Sequence, residues 1–231
     1  IMLSDGYLGN GAEPWKVPDL AEIPRIDPHF ATKPNTTAAD GSPRFMPYRR
    51  DPQTLARPWA LPSTKGLEHR VGGLEKSAHT GAISYDPANH EEMVATRAAK
   101  VKGIAKTIPP TAVDDPSGDA DVLVLGWGSA YGPITAAVRR VRARGLSIAQ
   151  AHVRHLNPLP EDLGDVLRRY RQIVVPEMNT GQFAMLLRSK YLIDVKTISR
   201  VRGLPISPVD LCDELCRHCG DSKGSDDTRE A

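Results

Sequence analysis

The chain has 231 residues, 40% of them hydrophobic and 25% charged, and its formal net charge is +2. This composition is typical of a globular chain with room for one large or two small domains, and it excludes a strongly basic nucleic-acid-binding protein. No apolar run approaches the ~20 residues of a membrane span and no basic-then-apolar start indicates a signal peptide, which favours the cytoplasm.

The first residues predict the end of a buried strand. Ile1-Met2-Leu3 is apolar, and Ser4-Asp5-Gly6 is typical of a turn. A lone short strand has no neighbour to satisfy its backbone groups. We therefore expect the chain to be the C-terminal portion of a longer protein, with residues 1–12 ending a truncated domain.

Residues 13–65 are predicted to form a proline-rich extended arm. Ten of the twenty prolines fall within the first 65 residues, a spacing that excludes a helix or a central strand. A flexible linker is the simple interpretation, but linkers rarely carry many aromatic residues. This segment contains Trp15, Phe30, Phe45, Tyr48 and Trp59. The pattern favours an ordered arm that lies on another domain or on a partner.

Residues 66–110 predict a glycine-rich loop followed by a helix. Asp86-Pro87 supplies an N-cap and a first helical residue, and Pro109-Pro110 ends the helix. Apolar residues at spacings of three and four predict one buried helical face. They are Val94, Ala98, Val101, Ala105 and Ile108.

Residues 111–220 predict an α/β domain after a polar boundary at 111–120. Strands are predicted at 122–125, 147–156, 173–175 and 195–201, the first broken by Gly126-Trp127-Gly128 and the third ended by Pro176. Predicted helices alternate with these strands. The first buries Ile134, Ala137, Val138 and Val141 and ends at Gly145. The other three cover residues 161–171, residues 181–191 and the residues from Ser207 onward. This alternation predicts an open, mainly parallel sheet of four or five strands with helices on both faces. Residues 221–231 are predicted to be a disordered tail.

Two motifs allow a ligand or a simple packing role. Gly126, Gly128 and Gly132 lie where a dinucleotide-binding loop would, but the spacing differs from the usual fingerprint and the next strand ends without an acid. Cys212, Cys216 and Cys219 could hold a cluster, or zinc with His218, or could be small apolar residues of a helix. We predict no metal here.

Three further groups of polar residues bear on function. His152 and His155 lie three apart on a predicted strand and so point to opposite faces. Arg139, Arg140, Arg142 and Arg144 predict a solvated helix face, with an acidic partner as the alternative. Glu177 and Asn179 follow a strand's C-terminal end, where they could contact a ligand or cap the next helix.

Several collinear blocks together resemble the alpha subunit of 2-oxoacid:ferredoxin oxidoreductases, the 2-oxoglutarate branch in particular. They are Leu3–Leu8, Arg57–Ala60, Gly66–Lys76, Ser84–Pro87 with Asn89-His90, Gly126–Ser129 with Tyr131-Gly132, Leu156–Leu159, Val175–Asn179 with Gly181-Gln182, and Gly203–Pro205. The resemblance covers residues 1 to about 206, so the cysteine motif lies outside it.

The resemblance implies a thiamine-diphosphate enzyme that converts 2-oxoglutarate and coenzyme A to succinyl-CoA and CO2 and passes two electrons to ferredoxin. In such enzymes a beta subunit supplies the diphosphate site, Mg2+ and a [4Fe-4S] cluster, in an (alpha-beta)2 assembly. The carboxylate that activates the cofactor's pyrimidine lies in the alpha subunit's pyrimidine-binding domain, upstream of Ile1, so no catalytic residue is expected in this chain. The chain would contain the end of that domain, the arm and a transketolase C-terminal-like domain. It would not be active alone.

The resemblance also implies candidate residues at a substrate entrance. They are His69, Arg70, Gly72, Gly73, Glu177, Asn179 and Gln182. The alternatives are a stand-alone interaction module without catalysis, an independent nucleotide-binding enzyme that uses the Gly126 loop, and specificity for pyruvate or another 2-oxoacid.

Overall fold

The computed structural model describes residues 11–12 and 16–221, most of which form two compact units of residues 16–106 and 107–221. The predicted strand end at Ile1–Gly6, Trp15 and nearly all of the predicted tail lie outside the described residues. Among the described helices, none has both the length and the apolar character needed to cross a membrane.

The first unit has little regular structure before residue 87, as its prolines predict. It contains one turn of 3-10 helix at Leu20–Glu22 and two short antiparallel strands, β1 (Thr36–Thr37) and β2 (Pro43–Arg44). The segment is not uniformly extended, because Phe30 forms a β-bridge with Trp59 and the two ring centroids are 6.4 Å apart.

Helix α1 (Pro87–Gly103) begins where the sequence predicts, but it buries a different face. The Asp86 carboxylate accepts a hydrogen bond from the Ala88 amide at 3.0 Å, which is the predicted cap. The buried residue of α1 is Met93, and Val94, Ala98 and Val101 of the predicted face are exposed. The rest of that face lies beyond α1, where Ala105 is buried and Ile108 half-buried. The side chain of Asn89, which shares a face with Met93, bonds the loop at Ala78 N and Lys76 O. These polar contacts orient the helix, and apolar spacing does not reveal them.

The second unit contains the predicted mainly parallel sheet. Its strands are β3 (Val113–Asp114), β4 (Val122–Trp127), β5 (Ala149–Val153), β6 (Gln172–Glu177) and β7 (Val195–Ser199), in the order β3-β5-β4-β6-β7. All neighbours are parallel except β3, which runs antiparallel to β5. The α/β fold class is therefore confirmed.

Three details of the sheet differ from the sequence predictions. The polar boundary contributes the edge strand β3, and β4 continues through Gly126 and Trp127. Pro176 lies inside β6 and does not end it. At this position β6 pairs with β7 only, since pairing with β4 stops at Val174 and pairing with β7 continues to Glu177. A proline is tolerated where one side of the strand has no ladder to maintain.

Four helices cover the sheet: α2 (Tyr131–Ala143), α3 (Leu163–Arg168), α4 (Gln182–Tyr191) and α5 (Pro208–Asp221). Val122 and Val124 of β4 belong to a core with α2 and α5, whereas Leu123 and Leu125 belong to a core with α3 and α4. This two-sided burial accounts for the continuous apolar run in β4. The buried residues of α2 are the four that were predicted.

Candidate functional site

The C-terminal end of β6 places Glu177 at the start of α4. This side chain is 1% exposed. Its carboxylate accepts hydrogen bonds from the amides of Phe183 at 3.0 Å and Ala184 at 3.2 Å, and from the indole N–H of Trp127 at 3.3 Å. A negative group at a helix N-terminus is favourable because the first amides have no partner within the helix. Of the two predicted roles, capping is the one observed.

Asn179 and Gln182 belong to the same turn. The Asn179 side-chain oxygen accepts from the amide of Gly181 at 2.8 Å, and weakly from that of Gln182 at 3.4 Å. Gly181 has φ = 93°, a left-handed conformation that favours glycine. Gln182 is exposed at the first position of α4. The three predicted residues therefore lie together, with Glu177 and Asn179 engaged by the backbone.

The other predicted residues lie in the loop of the first unit. The ring of His69 is 5.3 Å from that of Phe45, and its Nδ1 atom is 2.7 Å from the Leu67 carbonyl. Arg70 is exposed, and within the described residues it has no hydrogen bond or ion pair. Gly72 and Gly73 follow it, also exposed.

Buried and charged side chains hold this loop in shape. Lys76 is 3% exposed, and its ammonium donates to the carbonyls of Gly72, at 3.1 Å, and Leu74. Glu75 pairs with His90 at 2.6 Å and Arg97 at 3.3 Å on α1. The hydrogen bond with His90, then that with Arg97, lowers the pKa of Glu75. The loop is thus fixed around its glycines while the Arg70 side chain remains available.

The glycines after β4 serve packing and turning. A Cβ atom on Gly126 would lie 2.6 Å from Cδ1 of Ile134 and 3.1 Å from Nδ1 of His152. Gly128 has φ = 56° in the turn that leads to α2. A Cβ atom on Gly132 would meet nothing within 4 Å. Close helix packing and a tight turn therefore account for the first two glycines.

The arginines of α2 and of its C-cap divide between two environments. Arg142 binds the Asp114 carboxylate at 2.8 Å and the Ile148 carbonyl at 2.9 Å, which ties the edge strand β3 to the unit. Arg144 pairs with Asp213 of α5 at 2.8 Å. Arg139 and Arg140 are exposed. Arg144 is exposed as well, so the predicted solvated face holds for all of these arginines except the half-buried Arg142.

The cysteines of α5 pack as part of the helix. Cys212 and Cys219 are buried in the core that α5 shares with α2, and Cys216 is half-buried with its sulfur 3.4 Å from the Arg144 guanidinium. Nδ1 of His218 lies 2.6 Å from the Gln172 amide nitrogen. Within residues 11–12 and 16–221, no group of three or more His, Cys, Asp or Glu side chains has the arrangement of a metal site. These donors do not fit Mg2+ or an iron–sulfur cluster.

The three thiols are expected to differ in reactivity, since thiolate is the reactive form. Burial raises the pKa of Cys219 to about 11 and also raises that of Cys212. At about pH 8 a pKa of about 11 leaves ~100-fold less thiolate than the ordinary value of 9.0. Alkylation with iodoacetamide, followed by mass spectrometry, should modify Cys216 first, and the Cys219 rate should rise about tenfold per pH unit below its pKa.

The denatured chain is the control, in which all three thiols should react alike. Equal rates for Cys216 and Cys219 in the folded chain would show that α5 does not protect its buried thiols. Protection of Cys216 that is lost on adding a chelator would instead indicate a bound metal.

Comparisons with known proteins place this geometry in context. Residues 120–211 match the family described as pyruvate:ferredoxin oxidoreductase core domain II. The 2-oxoglutarate oxidoreductase subunit KorA of Mycobacterium tuberculosis is 52% identical over 217 residues, which are 94% of this chain and 31% of that protein. The 2-oxoacid:ferredoxin oxidoreductase 1 subunit alpha of Aeropyrum pernix is 34% identical over 81% of this chain and 29% of its own length.

A solved structure agrees with the sequence matches. The 2-oxoglutarate:ferredoxin oxidoreductase from Magnetococcus marinus, solved with 2-oxoglutarate, coenzyme A and succinyl-CoA bound, matches with a TM-score of 0.70 and 29% identity. The match covers 80% of this chain and 32% of that one. The chain therefore spans about a third of the length of these relatives.

Proposed function

The chain belongs to the alpha-subunit family of 2-oxoacid:ferredoxin oxidoreductases, and we propose that it is part of a cytoplasmic 2-oxoglutarate:ferredoxin oxidoreductase. The complete enzyme would oxidise 2-oxoglutarate with coenzyme A, release CO2 and succinyl-CoA, and pass two electrons to ferredoxin. The main support for this proposal is the structural match, with a TM-score of 0.70, to a 2-oxoglutarate:ferredoxin oxidoreductase solved with substrate and product bound. The KorA relative, also named for 2-oxoglutarate, supports this substrate over pyruvate.

The described residues would contribute structure rather than covalent chemistry. Family membership implies thiamine diphosphate and iron–sulfur cofactors, which supply carbanion stabilisation and electron transfer. On the family resemblance, we assign Mg2+ and the [4Fe-4S] cluster to a beta subunit in an (alpha-beta)2 assembly. In this chain Glu177 fixes the start of α4 and Lys76 fixes the glycine loop.

We assign the exposed part of the glycine loop to the substrate entrance. Arg70 offers a guanidinium without a partner among the described residues, held on a loop whose carbonyls are bound by Lys76. A guanidinium binds a carboxylate or phosphate through two parallel hydrogen bonds, and 2-oxoglutarate and coenzyme A both carry such groups. His69, Gly72 and Gly73, which belong to the same loop, would shape this entrance.

The proposal is tested by co-expressing the complete alpha subunit that contains this chain with its beta subunit. The expected result is coenzyme A-dependent reduction of ferredoxin with 2-oxoglutarate, and a kcat/KM at least about tenfold lower with pyruvate, which lacks the second carboxylate. A faster reaction with pyruvate would contradict the substrate assignment. Failure of a beta subunit to copurify would instead favour a stand-alone interaction module.

A further inference from the structure

A cleft of about 640 Å3 runs along the side of α2 in the second unit. One wall is formed by residues that recur along a single face of this helix, from Tyr131 through Thr135 and Arg139 to Arg142. Residues 108–114 form the opposite wall, and β5 with the turn after it supplies His152, Arg154 and His155. A concave site of this volume is within the range that holds small organic ligands.

The cleft is positively charged, and part of that charge is uncommitted. Arg139, Arg142 and Arg154 line it, against the single acid Asp114. Arg142 is fully engaged with Asp114 and the Ile148 carbonyl. Arg139 and Arg154 are exposed, and among the described residues neither has a hydrogen bond or an ion pair. Two free guanidinium groups in one cleft are suited to a phosphate or carboxylate.

Two aromatic rings adjoin these cations. Tyr131 is 56% exposed, and its ring meets that of His152 edge-on with centroids 5.0 Å apart. Burial, and then the charge of Arg154, lowers the pKa of His152, so its ring is neutral near pH 7. Its Nδ1 atom is buried beside Gly126 and has no hydrogen-bond partner among the described atoms.

The C-terminal end of β5 corrects the sequence interpretation that the two histidines point to opposite faces of one strand. Because β5 ends at Val153, His155 lies in the following turn, and both histidines line the same cleft. Arg139 and Arg142 of the arginine run and the histidine pair, which the proposed reaction does not use, thus meet at one cleft.

We propose that this cleft binds a nucleoside diphosphate, with its phosphates on Arg139 and Arg154 and its base against the Tyr131–His152 ring pair. An acidic peptide is the other class of anion that two arginines attract. A concave site with an exposed flat ring and apolar walls, including Val138 and Pro109, favours a small molecule with a planar group. The inference does not rest on the proposed reaction.

The test is calorimetric titration of the full chain with ADP. Wild-type protein should bind ADP, and Arg139→Ala and Arg154→Ala should each weaken binding by at least about tenfold, the effect of losing a charged hydrogen bond. Arg140→Ala is the matched control, because Arg140 is exposed on the same helix and does not line the cleft. Adenosine and inorganic phosphate, each offering half of the ligand, should bind at least about tenfold more weakly than ADP.

A second readout locates the ligand. NMR titration of the histidines should show that ADP raises the pKa of His152, because the negative phosphates would favour the protonated ring. The other charged or titratable groups that line the cleft are Arg139, Arg142, Arg154, Asp114 and His155. Absence of ADP binding would overturn the proposal, as would equal losses in the Arg139→Ala and Arg140→Ala variants. Tighter binding of an oligoglutamate peptide, with the same dependence on Arg139 and Arg154, would overturn it in favour of an acidic protein partner.

Discussion

Replacing Glu177 with alanine is expected to lower the free energy of unfolding of the full chain by about 3–4 kcal/mol. The substitution removes a buried carboxylate that accepts three hydrogen bonds, from the amides of Phe183 and Ala184 and from the Trp127 indole. These donors would be left in a region from which water is excluded, and a buried donor without an acceptor costs about 1–3 kcal/mol. Urea denaturation followed by circular dichroism measures the loss.

Two control variants separate this cap from general effects of substitution. Asn179→Ala, which removes a half-buried cap on the same turn, should cost only about 1 kcal/mol. Glu161→Ala, at an exposed position, should change stability by less than about 0.5 kcal/mol. A loss below about 1 kcal/mol for Glu177→Ala would mean that the α4 start tolerates an empty cap, and would contradict the role assigned to the carboxylate.

The second unit, which contains the sheet, was predictable because burial in the core alone determines the spacing of its apolar residues. Val122–Leu125 of β4 is apolar at every position since successive side chains enter the two different cores. The face of α2 was equally clear, because three- and four-residue spacing leaves one way to bury Ile134 and Val138. Such patterns need no knowledge of distant contacts.

The first unit was less predictable because polar contacts determine its arrangement. The orientation of α1 depends on the Asn89 side chain bonding to two backbone groups of the loop, at Ala78 and Lys76. Burial of Lys76 similarly depends on its ammonium bonding to the loop carbonyls of Gly72 and Leu74. Neither contact leaves a periodic signal in the sequence.

The candidate site shows a different limit. A carboxylate after a parallel strand, four or five residues before a helix, suits both a ligand contact and a helix cap, so Glu177 could not be assigned from its position. In the structure the carboxylate accepts from three donors around it, which shows its capping role. The cleft beside α2 was missed because its residues come from three separate segments, although the four-residue spacing of Tyr131, Thr135 and Arg139 was visible.

Replacing Arg70 with alanine in the complete enzyme is expected to lower kcat/KM by roughly 10- to 150-fold for 2-oxoglutarate or for coenzyme A, corresponding to ~1.5–3 kcal/mol. Loss of one guanidinium removes a paired contact to a charged substrate group, and the Lys76 ammonium of the same loop is already bound to loop carbonyls. Steady-state kinetics with each substrate varied separately measures the effect and shows which substrate meets this side chain.

Two variants make the result specific to position and geometry. Arg140→Ala removes an equally exposed guanidinium from α2 and should retain wild-type kinetics. Arg70→Lys keeps the charge but loses the planar fork, so it should recover only part of the activity if the contact is bidentate. Retention of wild-type kcat/KM for both substrates by Arg70→Ala would remove the loop from the substrate entrance. The exposed Arg70 would then be a solvated surface residue.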